Sequence, residues 1–289
     1  MLLSINYCFF GETDIFIKYR VREIFTLSNL CSFELQMDYL LASSRGGGVA
    51  NCMGAGYHLI PHVLPGGTYK KLADKATEVL PDSTVDHESK NHVYVLAGVP
   101  DITTLVRSSP KHMECIYTDT PEHTLKHLKE QIDECADAIT KKNAIPIFCT
   151  ITPMNITLYN NYLLEDNKTK YLLHAEKYDH MQAQILPIFT EINRYIKTYN
   201  TDRGFTTPMC QFEIVKRHGK GRKGYYRNHW EGLKDGLHAT EKTSKGWATA
   251  IRVAINQNRQ QLTRTATFLS SSSEEETPKR AWKREREDL

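Results

Sequence analysis

The sequence predicts a three-layer α/β/α fold in which a mostly parallel sheet is covered by helices on both faces. Two observations carry the prediction. Short apolar runs of strand length alternate with longer segments whose apolar residues recur at helical spacing, and that repetition marks βαβ units. The chain also has 289 residues, 40% hydrophobic and 25% charged. That is enough for one α/β domain with extensions, or two small ones, at the average composition of globular chains.

Residues 1–35 mix aromatic and charged side chains without a sustained period and read as an N-terminal extension. The first strand is 37–42, running into Ser43-Ser44-Arg45-Gly46-Gly47-Gly48, a turn where backbone must approach something closely. Residues 49–53 open a helix. Residues 57–64 form a second strand, which Pro61 places towards a sheet edge. The turn Pro65-Gly66-Gly67-Thr68 leads into a helix with Tyr69, Leu72, Ala73, Ala76, Val79 and Leu80 on one face. A strand at 92–97 ends at Gly98-Val99-Pro100-Asp101. Thr120, followed by Pro121 and Glu122, starts a helix whose Leu125, Leu128, Ile132, Cys135 and Ile139 share a face.

Residues 144–151 are the next strand, stopped by Pro153. The stretch 170–200 is helical in pattern, with Leu172, Ala175 and Tyr178 before Pro187 and Ile188, Ile192, Tyr195 and Tyr199 after it. Pro187 is expected to kink or split that helix. Residues 210–215 read as a last strand, followed by a basic loop at 216–227. Trp247, Ala250, Ile251, Ala254 and Ile255 then mark the buried stripe of a final helix. The folded domain is taken as 36–257. Residues 258–289, with serine, glutamate and mixed charge runs, read as a disordered charged tail.

The seven cysteines, at 8, 31, 52, 115, 135, 149 and 210, have no C-x-x-C spacing. They fit a reducing compartment and small buried hydrophobes such as Cys149, not a zinc site or disulfide framework. A net charge of +3 does not by itself imply nucleic-acid binding. The apolar start, residues 1–10, lacks a basic region and is followed by Glu12 and Asp14, so neither a signal peptide nor a membrane span is expected. An intracellular location, cytoplasmic or nuclear, follows. Pro278-Lys279-Arg280 would serve nuclear import, although a solubilising charge run is the commoner reading. Asn155-Ile156-Thr157 and Asn167-Lys168-Thr169 match the glycosylation pattern, which matters only in a secreted chain. No cofactor and no metal are expected.

Chemistry concentrates in Asp235-Gly236-Leu237-His238, a carboxylate and an imidazole on the loop entering the last packed helix. An imidazole held in one tautomer by a carboxylate is the base that a hydroxyl nucleophile requires. In sheets of this kind, sites form where the strands end. Ser43-Ser44, Gly98 to Asp101 and the region of Thr152 all follow strands and should gather on that edge with the Asp-x-x-His loop.

Ser44-Arg45-Gly46-Gly47-Gly48, Pro65-Gly66-Gly67-Thr68, Gly98-Val99-Pro100-Asp101 and Asp235-Gly236-Leu237-His238 resemble, in order and approximate spacing, the sequence blocks of the SGNH (GDSL-type) hydrolases. The resemblance spans about residues 37–256. Its last block is the most specific, because the family also has a downstream glycine and apolar helix where Gly246-Trp247 stand. The first block reads Gly-Asp-Ser in the family, with a glycine four residues after the nucleophile. Here Ala42-Ser43-Ser44 with Gly48 is a degraded match.

The resemblance implies a flavodoxin-like three-layer sandwich and an ester or acylated small-molecule substrate. It makes Ser44 the nucleophile, His238 its general base, Asp235 the orienting group, and the backbone N–H groups of Ser44 and Gly66 an oxyanion hole. The third block departs from the family: Pro100 stands where an asparagine donates a further hydrogen bond, leaving Asp101 to brace the loop. Degraded blocks and a charged tail also resemble the SGNH-like domains of animal retrotransposons. The competing expectation is a non-catalytic binding module on the same fold. Lys220, Arg222 and Lys223, beside Tyr225 and Tyr226, would contact nucleic-acid phosphates or attract an anionic substrate.

Overall fold

β1 (Asp38–Ser43) and β3 (His92–Leu96) are buried along their whole length, as continuous apolar runs are when both faces of a parallel sheet are covered. β2 (Leu59–Leu64) is only partly buried and carries Pro61, which confines it to an edge. β6 (Ile145–Phe148) completes a four-stranded sheet in the order β2-β1-β3-β6. All its pairings are parallel, and the register sets Ser43 beside Leu64, Ala42 beside Leu96 and Val95 beside Phe148. The computed structural model describes residues 37–54, 57–82, 90–110, 112–166, 175–219 and 224–272, all within one unit that begins at Gln36. The extension 1–35, Asn167, Lys168, Thr169, Lys220, Arg222, Lys223 and the tail beyond Ser272 lie outside the described residues.

Alternation along the strands divides the core in two. Tyr39, Leu41, Val93, Val95 and Phe148 pack on α2 (Tyr69–Val79), α4 (Pro121–Lys141) and α6 (Ala175–Asp202) through Leu72, Leu128, Ile132, Ile188 and Ile192. Their neighbours Leu40, Ala42, Tyr94, Leu96 and Ile147 face α1 (Gly46–Cys52) and α7 (Glu241–Ser272), meeting Val49, Trp247, Ile251, Ala254 and Ile255. The three-layer α/β/α architecture follows from these two clusters. Helix starts are capped as their sequences suggest: Thr68 accepts from Lys71 N, and Thr120 accepts from His123 N with Pro121 behind it.

Several sequence expectations need correction. Residues 210–215 do not form a sheet strand. Cys210–Glu213 is a 3-10 turn, and β7 (Val215–His218) pairs only with β8 (Tyr225–Asn228) in an antiparallel ribbon. The apolar spacing explains the difference. Cys210 and Ile214 are buried while Phe212 between them is 45% exposed, a period of four where a strand would need two. Thr150 also turns the chain across the end of β6, donating from its N–H to Pro208 O and accepting from Gln211 N on Oγ1.

Pro187 does not split α6, which runs unbroken over Ala175–Asp202. Both Pro187 and Ala183, whose carbonyl loses its helical donor, are exposed, so water can satisfy that carbonyl while Ile185, Ile188 and Ile192 hold the opposite face. α7 continues to Ser272, past the boundary at 257. The sequence pattern also passed over α3 (Val99–Ile102), a hairpin of β4 (Thr104–Ser109) and β5 (His112–Ile116), and α5 (Ile156–Asp166).

Candidate active site at the carboxyl edge of the sheet

The turn leaving β1 holds two glycines, Gly46 and Gly48, at positions with no room for a side chain. A Cβ on Gly46 would meet Ala42 Cβ at 2.2 Å, and one on Gly48 would meet Ser244 Oγ at 2.4 Å. The first glycine lets the chain fold back over its own strand, and the second lets α1 approach the start of α7. Ser43 ends β1 as a buried residue, 2% exposed, and Ser44 is the serine whose side chain reaches the facing loop.

That loop is set by its own hydrogen bonds. After a 3-10 turn at Trp230–Gly232, Leu233 bridges Ala239 and Lys234 N donates to His238 O at 2.9 Å. Asp235 Oδ1 accepts from the backbone N–H groups of Leu237 (2.9 Å) and His238 (2.6 Å), and Oδ2 faces His238 Nδ1 at 2.6 Å. His238 Nε2 lies 3.3 Å from Ser44 Oγ. With the Nδ1 proton held against the carboxylate, Nε2 presents a lone pair to the hydroxyl. Burial alone would push the Asp235 carboxyl up, but the His238 ring and the two backbone donors outweigh it and hold the group below the usual aspartate value. Asp235 is therefore an anion at neutral pH, aligned as an orienting group needs to be.

Gly236 makes this geometry possible. Its φ is +84°, and a Cβ there would meet Asn155 O and Tyr159 N, both at 2.7 Å. Asn155 N in turn donates to Gly236 O at 2.8 Å, locking the loop to the start of α5. Tyr159 of that helix stands edge-on to His238, ring centroids 6.4 Å apart.

Gly66 follows β2 by two residues. The pairing of Ser43 with Leu64 brings its turn to the same edge as Ser44, and its φ of +63° needs glycine. Gly98, with φ +111°, packs so closely on Ile151 that a Cβ would lie 2.3 Å from its Cδ1. Pro100 has no N–H to offer. Asp101 is turned away to brace α2, accepting from Tyr69 N on both oxygens at 3.1 and 3.3 Å. Burial lifts its carboxyl to about 7, against the hydrogen bonds from Tyr69 and its own backbone and the charge of Lys71. This position thus supplies a structural clamp and no oxyanion donor.

Sequence reasoning missed Arg45, which is 6% exposed beside Ser44 and donates to the carbonyls of Thr152 and Pro153. An arginine after a strand reads as surface, and nothing local signals its burial. Asn155 and Tyr159 were missed with α5, whose apolar pattern is weak. Among the described residues no cluster of three His, Cys, Asp or Glu is arranged for a metal, and Cys52, Cys115, Cys135, Cys149 and Cys210 are free thiols. A cavity of about 420 Å³ between α6 and the β7–β8 ribbon is lined by Pro153, Phe189, Lys197, Phe212 and Tyr226 among others, and by none of Ser44, Asp235 or His238. No described helix is long and apolar enough to cross a membrane.

No family model and no curated protein matches the chain. Among solved structures it is similar to a GDSL-like lipase from Bacteroides thetaiotaomicron, with a TM-score of 0.48 at 13% identity over 77% of this chain and 89% of that one. It is also similar to a member of the lipolytic G-D-S-L family from Veillonella parvula, with a TM-score of 0.42 at 12% identity over 74% of this chain and 95% of that one. These are likenesses of chain path, and the chemistry of the site rests on its own geometry.

Proposed function

We propose that this chain is a serine hydrolase of esters or acylated small molecules that works through an acyl-enzyme. One observation supports the reading above all others: the hydrogen-bonded series from Ser44 Oγ to His238 Nε2 (3.3 Å) and from His238 Nδ1 to Asp235 (2.6 Å), with residues from opposite ends of the domain. Ser44 Oγ attacks the acyl carbon as His238 Nε2 takes its proton, and negative charge moves to the carbonyl oxygen, near the N–H groups of Ser44 and Gly66. Collapse breaks the bond to the leaving alcohol, which receives the proton from His238. Water, deprotonated by the same nitrogen, then releases the acid and restores Ser44.

Pro100 sets the expected substrate range. Loss of one oxyanion donor reduces turnover by about 100- to 1,000-fold, so activated esters are the substrates of choice and unactivated ones react far more slowly. A fluorophosphonate probe should label Ser44, p-nitrophenyl acetate should be cleaved slowly, and Ser44→Ala should abolish both reactions. Pro100→Asn should raise the rate. Equal hydrolysis by wild type and Ser44→Ala would leave a binding module on the same fold as the better reading, one that the missing donor at Pro100 also favours. That module would use Lys220, Arg222 and Lys223 on phosphates, and replacing them by alanine would flatten the salt dependence of nucleic-acid binding.

A further inference from the structure

We propose that Arg45 is a positioning residue: its buried guanidinium ties the nucleophile's turn to the segment that holds the Asp235–His238 loop, and its charge balances Asp235. The functional meaning of this role rests on the hydrolase reading, but the role itself is measurable without turnover.

Arg45 Nη1 donates to Thr152 O and Nη2 to Pro153 O at 3.5 Å, while Nε is buried without a hydrogen-bond partner. Both acceptors are neutral carbonyls. A buried cation with no counter-charge would be strongly unfavourable. Among the described residues Arg45 has no carboxylate in ion-pair contact, and Asp235, paired directly with His238, acts on it from beyond contact distance. Burial lowers the guanidinium to about 9 and Asp235 works in the opposite direction, so Arg45 stays a cation at neutral pH. Two residues beyond Pro153, Asn155 N donates to Gly236 O, between Asp235 and His238. A continuous brace therefore runs from Ser44 through Arg45 and residues 152–155 to the acid–base loop. The Ser44–His238 contact is only as well defined as that brace.

The charges lead to the same assignment. The anionic Asp235 and the cationic Arg45 sum to zero, and the set formed during acyl transfer, with an imidazolium and an oxyanion added, also sums to zero. Without Arg45 each set carries an excess negative charge, which opposes the oxyanion and favours a proton on His238. The other groups meeting His238 do not alter this count. Ser44 is uncharged, and the Tyr159 phenol from α5 is pushed up to about 12, chiefly by burial with Cys115, Asp235 and Tyr162 adding to it.

The test is an NMR titration of the His238 ring in full-length Ser44→Ala protein, comparing Arg45 with Arg45→Gln and Arg45→Lys. The glutamine variant should raise the His238 midpoint by about one pH unit, and the lysine variant, which keeps the charge, should leave it near the parent. A folded Arg45→Gln protein with the parent midpoint overturns the proposal. If Arg45→Gln does not fold, combining it with Asp235→Asn should restore folding, and a double variant no more stable than the single one overturns the proposal equally. In the active protein, Arg45→Gln should lower kcat with little change in KM, and Arg45→Lys should restore it. Failure of wild type to cleave p-nitrophenyl acetate would remove the hydrolase reading and leave the titration result standing.

Discussion

Among the described residues, two histidine–carboxylate contacts continue through the second ring nitrogen to a third side chain, and their surroundings differ. On the β7–β8 side, His229 Nδ1 meets Glu231 at 2.7 Å and its Nε2 meets His218 Nε2 at 2.6 Å. At the sheet edge, His238 Nδ1 meets Asp235 at 2.6 Å and its Nε2 meets Ser44 at 3.3 Å. The distances alone do not tell them apart. The Glu231 side chain is 75% exposed and that of Asp235 is 5% exposed. Water can replace His229 at Glu231, whereas Asp235 has backbone donors on one oxygen and the imidazole on the other. Both carboxylates lie below their usual range. In Glu231 its own backbone N–H is the leading cause, followed by the His229 ring, and in Asp235 the hydrogen bonds overcome burial. The difference teaches that the surroundings which fix an ion pair, more than the pair itself, create a base with one orientation.

The largest expected effect would break the comparison at the carboxylates. Asp235→Asn should lower turnover of an activated ester by about 10⁴-fold through the wrong imidazole tautomer, while Glu231→Gln should leave it within about twofold; steady-state kinetics on both variants decides. Next is a pair of glycines. Gly236→Ala combines a left-handed backbone with contacts to Asn155 O and Tyr159 N, whereas a Cβ on Gly224 of the ribbon would meet only the movable tip of Arg217. Urea unfolding should show about 3 kcal/mol lost at Gly236 and less than about 0.5 at Gly224.

The smallest effect separates the relays from Asp101 by pH. Asp235 and Glu231, being depressed, contribute stability that is present above their unfolded values near 4 and lost only as pH falls further. Asp101 is raised from 3.8 to about 7, so the native state holds the extra proton between those values and stability declines as pH rises through them. Asp101→Asn keeps an acceptor for Tyr69 N and cannot ionise. Its melting temperature should therefore improve relative to wild type from pH 4 to 7 and stay constant above. A difference independent of pH would mean that Asp101 is not protonated in the native state.

The sheet was legible wherever burial on both faces wrote itself as an unbroken apolar run, as in β1 and β3, and Pro61 marked the edge. The helical stripes of α2, α4 and α7 were legible for the same reason, and the expected residues Ser44, Asp235 and His238 do come together. Pairing that depends on partners far along the chain was not legible. β4 is mostly exposed, and the hairpin is held to α5 by Asn160, which donates to Cys115 O and accepts from Cys115 N. Arg45 is buried by carbonyls 107 residues away, which no local pattern encodes. The alternation in Cys210-Gln211-Phe212-Glu213-Ile214 imitates a strand, because Phe212 is apolar yet exposed, with Lys197 over its ring.

Ser44 and His238 are separated by 194 positions, and that distance orders events during synthesis. β1, which leads into Ser44, is made before α5 and α7, and the His238 loop is held by both, through Asn155 N on Gly236 O and through Trp247 and Ile251 packed on the sheet. Loop closure over such a span comes late. Ser44 is therefore made well before the residue it meets, and the two are expected to come together only once α7 packs on the sheet.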